Sequence, residues 1–169
     1  MKRIPAVAAA LLLLFAAGCA NYRLGSMLPK DVRTVYVPTC RNQTPEPLIE
    51  QDVTRAVLSQ IQMDGSLRIA SESDADVVLE VTLNRFWLDP VAYEAGSAST
   101  ANQYRMSIKA SFVLYRRSDR SVLVESPSVT GWYDFEFAGD MSSSKAIALS
   151  PAAEDLGRRI VGQIVQYWP

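Results

Sequence analysis

Few side chains in this 169-residue sequence are equipped for chemistry, and their types restrict it sharply. Histidine is absent, which removes the commonest general base, the usual partner of a nucleophilic Ser or Cys, and the commonest ligand of catalytic zinc. Carboxylate-only and Ser-Lys chemistry survive that exclusion. The chain nevertheless has no Gly-x-Ser-x-Gly, no phosphate-cradling glycine loop and no clustered metal-ligand spacing. Ser142 and Lys145 give a Ser-x-x-Lys spacing once, in what reads as a polar connection with nothing to bury the lysine and lower its pKa. A hydrolase is thus disfavoured, and no catalytic residue, metal or dissociable cofactor is expected. What remains is two cysteines, Cys19 and Cys40, and a set of arginines and lysines whose use depends on where the fold puts them.

Cys19 ends a distinctive segment, MKRIPAVAAALLLLFAAGC. Lys2 and Arg3 make a positive start, residues 7–17 an apolar core, and Ala16, Ala17 and Gly18 the small residues a signal peptidase needs. Residues 1–18 read as a secretory signal, too short to serve comfortably as a membrane span. Ala16-Ala17-Gly18-Cys19 resembles the lipobox of bacterial lipoproteins, with Ala16 where leucine is usual; an ordinary secretory signal is the alternative. The resemblance implies diacylglycerol on the Cys19 thiol, cleavage before it and an N-acyl chain on the new amine. Each buried methylene contributes roughly 0.8 kcal/mol and one chain anchors only marginally, so three chains would hold the protein to a membrane permanently. Ala20 and Asn21 lack the aspartate that retains many such proteins in the inner membrane, so the expected address is the outer membrane, on its periplasmic side.

Removing residues 1–18 leaves 151 residues, enough for one domain with its own core. That remainder has 15 basic and 18 acidic residues, a formal charge of −3 that argues against nucleic acid as a partner. With Cys19 assigned to lipid, Cys40 has no partner and is expected to be buried, the alternative being an intermolecular bond. Residues 19–31 read as a lipidated tether and 32–169 as a single domain.

Periodicity supplies the elements. RTVYVPT (33–39) reads as a first strand. Thr44 is a possible N-cap with Pro45 at the first helical position, and Ile49, Val53, Ala56, Val57 and Ile61 then recur at helical spacing until Gly65. SLRIA gives a short strand, and strand–helix–strand of this length implies a parallel pair. In the next strand, residues 76–88, Val77, Leu79, Val81 and Leu83 face one way; in residues 104–115, Met106, Ile108, Ala110, Phe112 and Leu114 do. Antiparallel pairing must therefore set odd positions of the first against even positions of the second, because a one-residue slip would turn every core side chain outward. A further strand, VLVESPSVTGWYDFEF, breaks its alternation near Pro127 and Gly131, leaving its faces open. The last helix is expected from Ser150-Pro151 with Ala153, Leu156, Ile160, Ile164 and Trp168 on one face; a start near Ser144, kinked at Pro151, is the alternative. The expected fold is α+β: a two-layer sandwich with two helices packed on one face of a mixed four- to five-stranded sheet, its other face polar and uncovered.

The segment NYRLGSMLPKDVRTVYVPTCRNQTPEPLIEQDVTRAV, following a lipobox cysteine, resembles the opening of the LptE family of lipopolysaccharide-assembly lipoproteins, and AAEDLGRRIVGQIVQYW resembles its closing helix. Cys40 stands where an apolar or aromatic residue is expected, which fits a packing role. The resemblance implies two helices on one side of a mixed sheet and a place within the lumen of the LptD-type outer-membrane β-barrel as plug and assembly partner. It also implies contact with lipopolysaccharide in transit and no turnover. A polar uncovered sheet suits a polar lumen. The rival is a lipoprotein that regulates a periplasmic enzyme such as a peptidoglycan synthase. Such a protein generally has a long Pro/Ser/Gln-rich tether, whereas ANYRLGSMLPKD reaches only roughly 40 Å at full extension.

The candidate lipopolysaccharide contacts are Arg105, Lys109 and Arg85. Arg105 and Lys109 share the polar face of their strand. Arg85 falls on the opposite face by strict alternation, unless twist or a bulge re-aims it. The competing structural reading pairs Lys109 with Glu80 across the strands. The long 88–103 connection offers no basic residue between Arg85 and Arg105, and reads equally as disordered or as a binding loop.

Overall fold

The computed structural model describes residues 28–29, 31–93 and 101–166. Cys19 and the signal segment, residues 94–100 and Trp168 lie outside the described residues. The elements in chain order are β1 (Thr34–Tyr36), β2 (Arg41–Asn42), α1 (Ile49–Asp64), β3 (Arg68–Ile69), β4 (Val77–Tyr93), β5 (Ala101–Arg116), β6 (Val122–Glu136) and α2 (Met141–Val165). They form one six-stranded mixed sheet in the order β3-β1-β4-β5-β6, with both helices packed on one face of it. β1 runs parallel to β3 and β4, as strand–helix–strand requires, while β4, β5 and β6 are an antiparallel meander. β2, hidden in a stretch that reads as a turn, adds to the same edge of β4 farther along.

The core faces follow the predicted alternation. Val77, Leu79, Val81 and Leu83 of β4 and Met106, Ile108, Ala110, Phe112 and Leu114 of β5 are all buried. They meet Ile49, Val53, Ala56, Val57 and Ile61 of α1 and Ala153, Leu156, Ile160 and Ile164 of α2. β6, whose faces were open from sequence, contributes Val124, Val129 and Phe135. One of its two register shifts lies at the Pro127 stretch and the other at Leu123, whereas Gly131 stays in register opposite Ile108. Cys40 is buried, its backbone N–H donating to Thr54 Oγ1 at 2.9 Å, and burial pushes its thiol pKa up. Leu28 already packs against this core, and Asp31 pairs with Arg116.

Both helix starts differ from the leading expectation, and that of α2 falls near the alternative at Ser144 with Pro151 inside. α1 begins at Ile49, after Leu48 in the left-handed region, not at Pro45. Thr44 is held in a turn instead, its N–H and hydroxyl donating to Asn42 Oδ1 at 2.9 and 2.8 Å. α2 begins at Met141, capped by Asp140, whose side chain accepts from Ser143 N–H at 2.8 Å, and Pro151 lies inside it. A cap of that kind satisfies an orphan donor of the first turn, and it outweighs the Ser150-Pro151 start signal.

β4 and β5 are also longer than their alternation indicates, consuming most of the 88–103 connection. Pro90 sits beside a register shift on a part of β4 that has no second neighbour among the described residues, where a missing N–H is tolerated. At about 3.3 Å per residue β4 is roughly 56 Å long, against roughly 37 Å for α2 at about 1.5 Å per residue. The end of the hairpin therefore outruns the helices, leaving Val91 and Tyr93 exposed.

Candidate functional site

The uncovered sheet face is organised by one bulge. Partners run Val77↔Arg116 to Leu83↔Ala110 in the expected odd-against-even register, then shift at Asn84, so that Arg85 stands opposite Lys109, Trp87 opposite Ser107 and Asp89 opposite Arg105. The shift sends Phe86 and Leu88 toward the core and Arg85 to the uncovered face, the re-aiming that strict alternation forbids. Asn84 also reaches that face, its Nδ2 donating to Ser111 Oγ at 3.0 Å. All three predicted contact residues therefore share one face, although a direct cross-strand pairing joins only Arg85 and Lys109.

Around them lies a ladder across three strands. Trp87, Ser107 and Trp132 are cross-strand neighbours, and Ser107 between the two indoles is only 4% exposed. Arg105 faces Asp134 on β6 and grips it with two hydrogen bonds, Nε to Oδ1 at 2.7 Å and Nη2 to Oδ2 at 2.8 Å. The Arg105 guanidinium beside Asp134 holds that carboxyl below the ordinary aspartate range. It also lies over the Trp132 ring, 4.1 Å from the centroid, as Arg85 lies over Trp87 at 4.9 Å. Trp87 Nε1 donates to Asp89 Oδ2 at 2.7 Å.

The Lys109–Glu80 pair does not form. Glu80 lies opposite Val113 and accepts from the Tyr115 hydroxyl at 2.7 Å, four residues along β5 from the lysine. Lys109 stands instead between Arg85 and Thr130. The two β5 cations are consequently unequal. Arg105→Glu sets two carboxylates against each other across β5 and β6 and should lower the thermal midpoint by a few degrees, whereas Lys109→Glu should leave it nearly unchanged or raise it. Equal melting of the two variants would contradict the unequal roles.

Ser142 and Lys145 have no reactive geometry. They lie in the first turns of α2, not in a linker, and Lys145 Nζ is paired with Glu46 Oε2 at 2.7 Å while resting over the Phe86 ring. Among the described residues, no three carboxylate or cysteine side chains gather to hold a metal ion. The arrangement can bind by charge and stacking. It has no nucleophile poised beside a base.

Sequence reasoning missed Trp87, Trp132 and Asp134 as members of this face, and Arg41, which β2 places opposite Thr82 on the same side. The only sequence signal for the first of these is the unbroken apolar run FWL at 86–88, which permits either face.

No curated protein sequence matches the chain. Solved structures share its fold at low identity. A lipoprotein from Caulobacter crescentus superposes with a TM-score of 0.54 at 10% identity, covering 78% of this chain and 87% of its own. A protein from Xanthomonas campestris gives 0.55 at 16% identity over 81% and 86%, and a minor lipoprotein from Acinetobacter baumannii 0.51 at 8% over 79% and 92%. The model of the family described as LptE, lipopolysaccharide-assembly, matches residues 32–166, the whole sheet and both helices. By that match the chain belongs to the LptE family of lipopolysaccharide-assembly proteins.

Proposed function

We propose that this chain is an outer-membrane lipoprotein, anchored by diacylglycerol and an N-acyl chain on Cys19. It assembles with an LptD-type β-barrel, plugs its lumen and assists lipopolysaccharide on its way to the cell surface. The observation that carries the reading is the sheet face left bare by both helices in a chain of the lipopolysaccharide-assembly family. That face is lined by Arg85, Arg105 and Lys109 with Thr82, Ser111 and Thr130, which suits a polar barrel interior and a phosphorylated glycolipid. Arg85 and Lys109 are outside any ion pair among the described residues, and Arg105 contributes through a guanidinium that Asp134 holds in place. No turnover is proposed: the chain would bind, orient and pass on.

Two experiments test this. The chain, tagged and extracted from outer membrane in detergent, should copurify with a large β-barrel; recovery of a peptidoglycan synthase in its place would select the regulatory reading. Metabolic labelling with a palmitate analogue should mark the wild type and miss Cys19→Ser, and equal labelling of both would remove the lipid anchor from the proposal.

A further inference from the structure

The cations nearest the β4 bulge divide into two groups. Arg105 is consumed by Asp134, but no ion pair among the described residues involves Arg85, Lys109 or Arg41. Arg41 belongs with them by geometry. In β2 it is in register with Thr82, and its neighbour Asn42 donates to Glu46 O at 2.8 Å and to Glu50 Oε2 of α1 at 3.0 Å. Asn42 is therefore on the helix side, and Arg41 on the bare side.

The arrangement opposes folding rather than assisting it. Arg85 and Lys109 are directly opposite each other, and like charges so placed are destabilising. No ion pair with a carboxylate relieves them among the described residues: Asp134 is taken by Arg105, while Asp89 accepts from the Trp87 indole and Glu80 from the Tyr115 hydroxyl. Between the three cations lies a floor of hydroxyl and amide groups, Thr82 beside Ser111, with Asn84 bonded to Ser111. The Arg85 guanidinium is steadied over Trp87, which lowers the entropy lost when its planar fork engages an anion. Three cations outside any ion pair among the described residues, set over a hydrogen-bonding floor, match a tetrahedral dianion, to which arginine binds bidentately.

We propose that Arg41, Arg85 and Lys109 form a seat for a phosphoryl group of a glycolipid, with Thr82, Asn84 and Ser111 as its floor. The glycolipid part rests on the functional reading above; the anion chemistry rests on the geometry alone. Phosphate contact thus centres on the middle of the sheet, and Arg41, from a two-residue strand, contributes as much as the hairpin residues.

The test uses the full chain in detergent, titrated with lipopolysaccharide, with the same lipopolysaccharide after phosphatase treatment, with inorganic pyrophosphate, and with phosphatidylglycerol vesicles. Arg41→Gln, Arg85→Gln and Lys109→Gln should each weaken binding of phosphorylated lipopolysaccharide about tenfold, the loss expected for one charged hydrogen bond, and most strongly at low salt. Arg68→Gln, on β3 outside the cluster, should bind as the wild type does, and thermal midpoints should certify folding throughout. Phosphatase-treated lipopolysaccharide should bind weakly and identically to all variants. Wild-type affinity of the Arg41 variant for phosphorylated lipopolysaccharide overturns the seat, and so does the same loss with the phosphatase-treated ligand. An equal Arg41 dependence on phosphatidylglycerol vesicles overturns the glycolipid assignment. Pyrophosphate bound in an Arg41-dependent way, with no lipopolysaccharide binding by the wild type, would uphold the seat and refute the functional reading.

Discussion

Replacing Gly131 by alanine should be the most damaging of the glycine-to-alanine changes among the described residues. Gly131 lies on the core side of β6, opposite Ile108, and α2 passes so close that an added Cβ would stand 2.4 Å from Leu156 N and 2.5 Å from its Cα and Cβ. Those are mainly backbone atoms, so no rotamer change can relieve the clash; the helix must move. α2 is confined on its other side as well, because a Cβ at the next residue, Gly157, would meet Ala56 C at 3.0 Å and O at 3.1 Å in α1. Overpacking a core costs typically 1 to 3 kcal/mol, and a clash with backbone on a helix wedged from both sides belongs at about the upper end. For a domain of this size that is a fall of about 10 °C in thermal midpoint. Gly162, in the same helix, has nothing within 4 Å of its added Cβ, so Gly162→Ala should stabilise by roughly 0.5 to 1 kcal/mol through helix propensity. Thermal melts of the two variants should move in opposite directions. A Gly131→Ala midpoint at or above wild type would refute the close approach.

The role of Gly131 was only half legible in the sequence. In the sequence it reads as an interruption of alternation, which is one meaning of glycine in a strand; the other is that a second backbone comes near, and only the packed helix tells them apart. The same distinction separates what else could and could not be read. The core stripes of β4, β5 and both helices were legible because burial imposes period 2 or 3.6 on apolar residues along the whole element. β2 was not, since two residues carry no period, and its strand character comes from the β4 edge beside it. The ends of β4 and β5 were hidden by Pro90 and by a stretch with too few core contacts to enforce alternation. Arg85 shows how the candidate site depended on the same limit. Phe86, Trp87 and Leu88 are all apolar, so a one-residue shift at Asn84 leaves no trace in the hydrophobic pattern, yet it decides whether Arg85 joins Lys109. Pairing partners were the least legible of all: the sequence offered Glu80 to Lys109, but the register sets Asp134 against Arg105 and leaves Lys109 outside any ion pair among the described residues.

Asp155 is the residue by which α2 is fastened to the edge of that sheet, and its removal carries the second large effect. β6 is the outermost strand, so N–H groups on its free side need partners from elsewhere. Trp132 N–H donates to Asp155 Oδ2 at 3.0 Å, while Arg158 Nη2 and Arg159 Nε donate to Oδ1 and Oδ2 at 2.9 and 2.7 Å. Burial pushes the Asp155 carboxyl up, but these donors from Arg159, Arg158 and the Trp132 backbone outweigh it and hold its pKa below the ordinary aspartate value. Asp155→Ala deletes the acceptor of all three and should cost about 2 kcal/mol; Asp155→Asn, which keeps one oxygen for Trp132 N–H and loses the charge, should cost about half of that. The charge makes the difference depend on pH in a fixed direction. Because the folded-state pKa is depressed, the unfolded chain binds the proton first as pH falls. The advantage of wild type over Asp155→Asn is therefore complete above the unfolded pKa of about 3.9 and is lost as pH falls through the lower folded value. Urea unfolding of the two proteins at a series of pH values from 7 downward should show a constant gap that closes only in that acid range. A gap independent of pH would mean that the ion pairs contribute nothing, and an Asp155→Ala protein as stable as wild type would show that this carboxylate does not fasten α2 to the edge of β6.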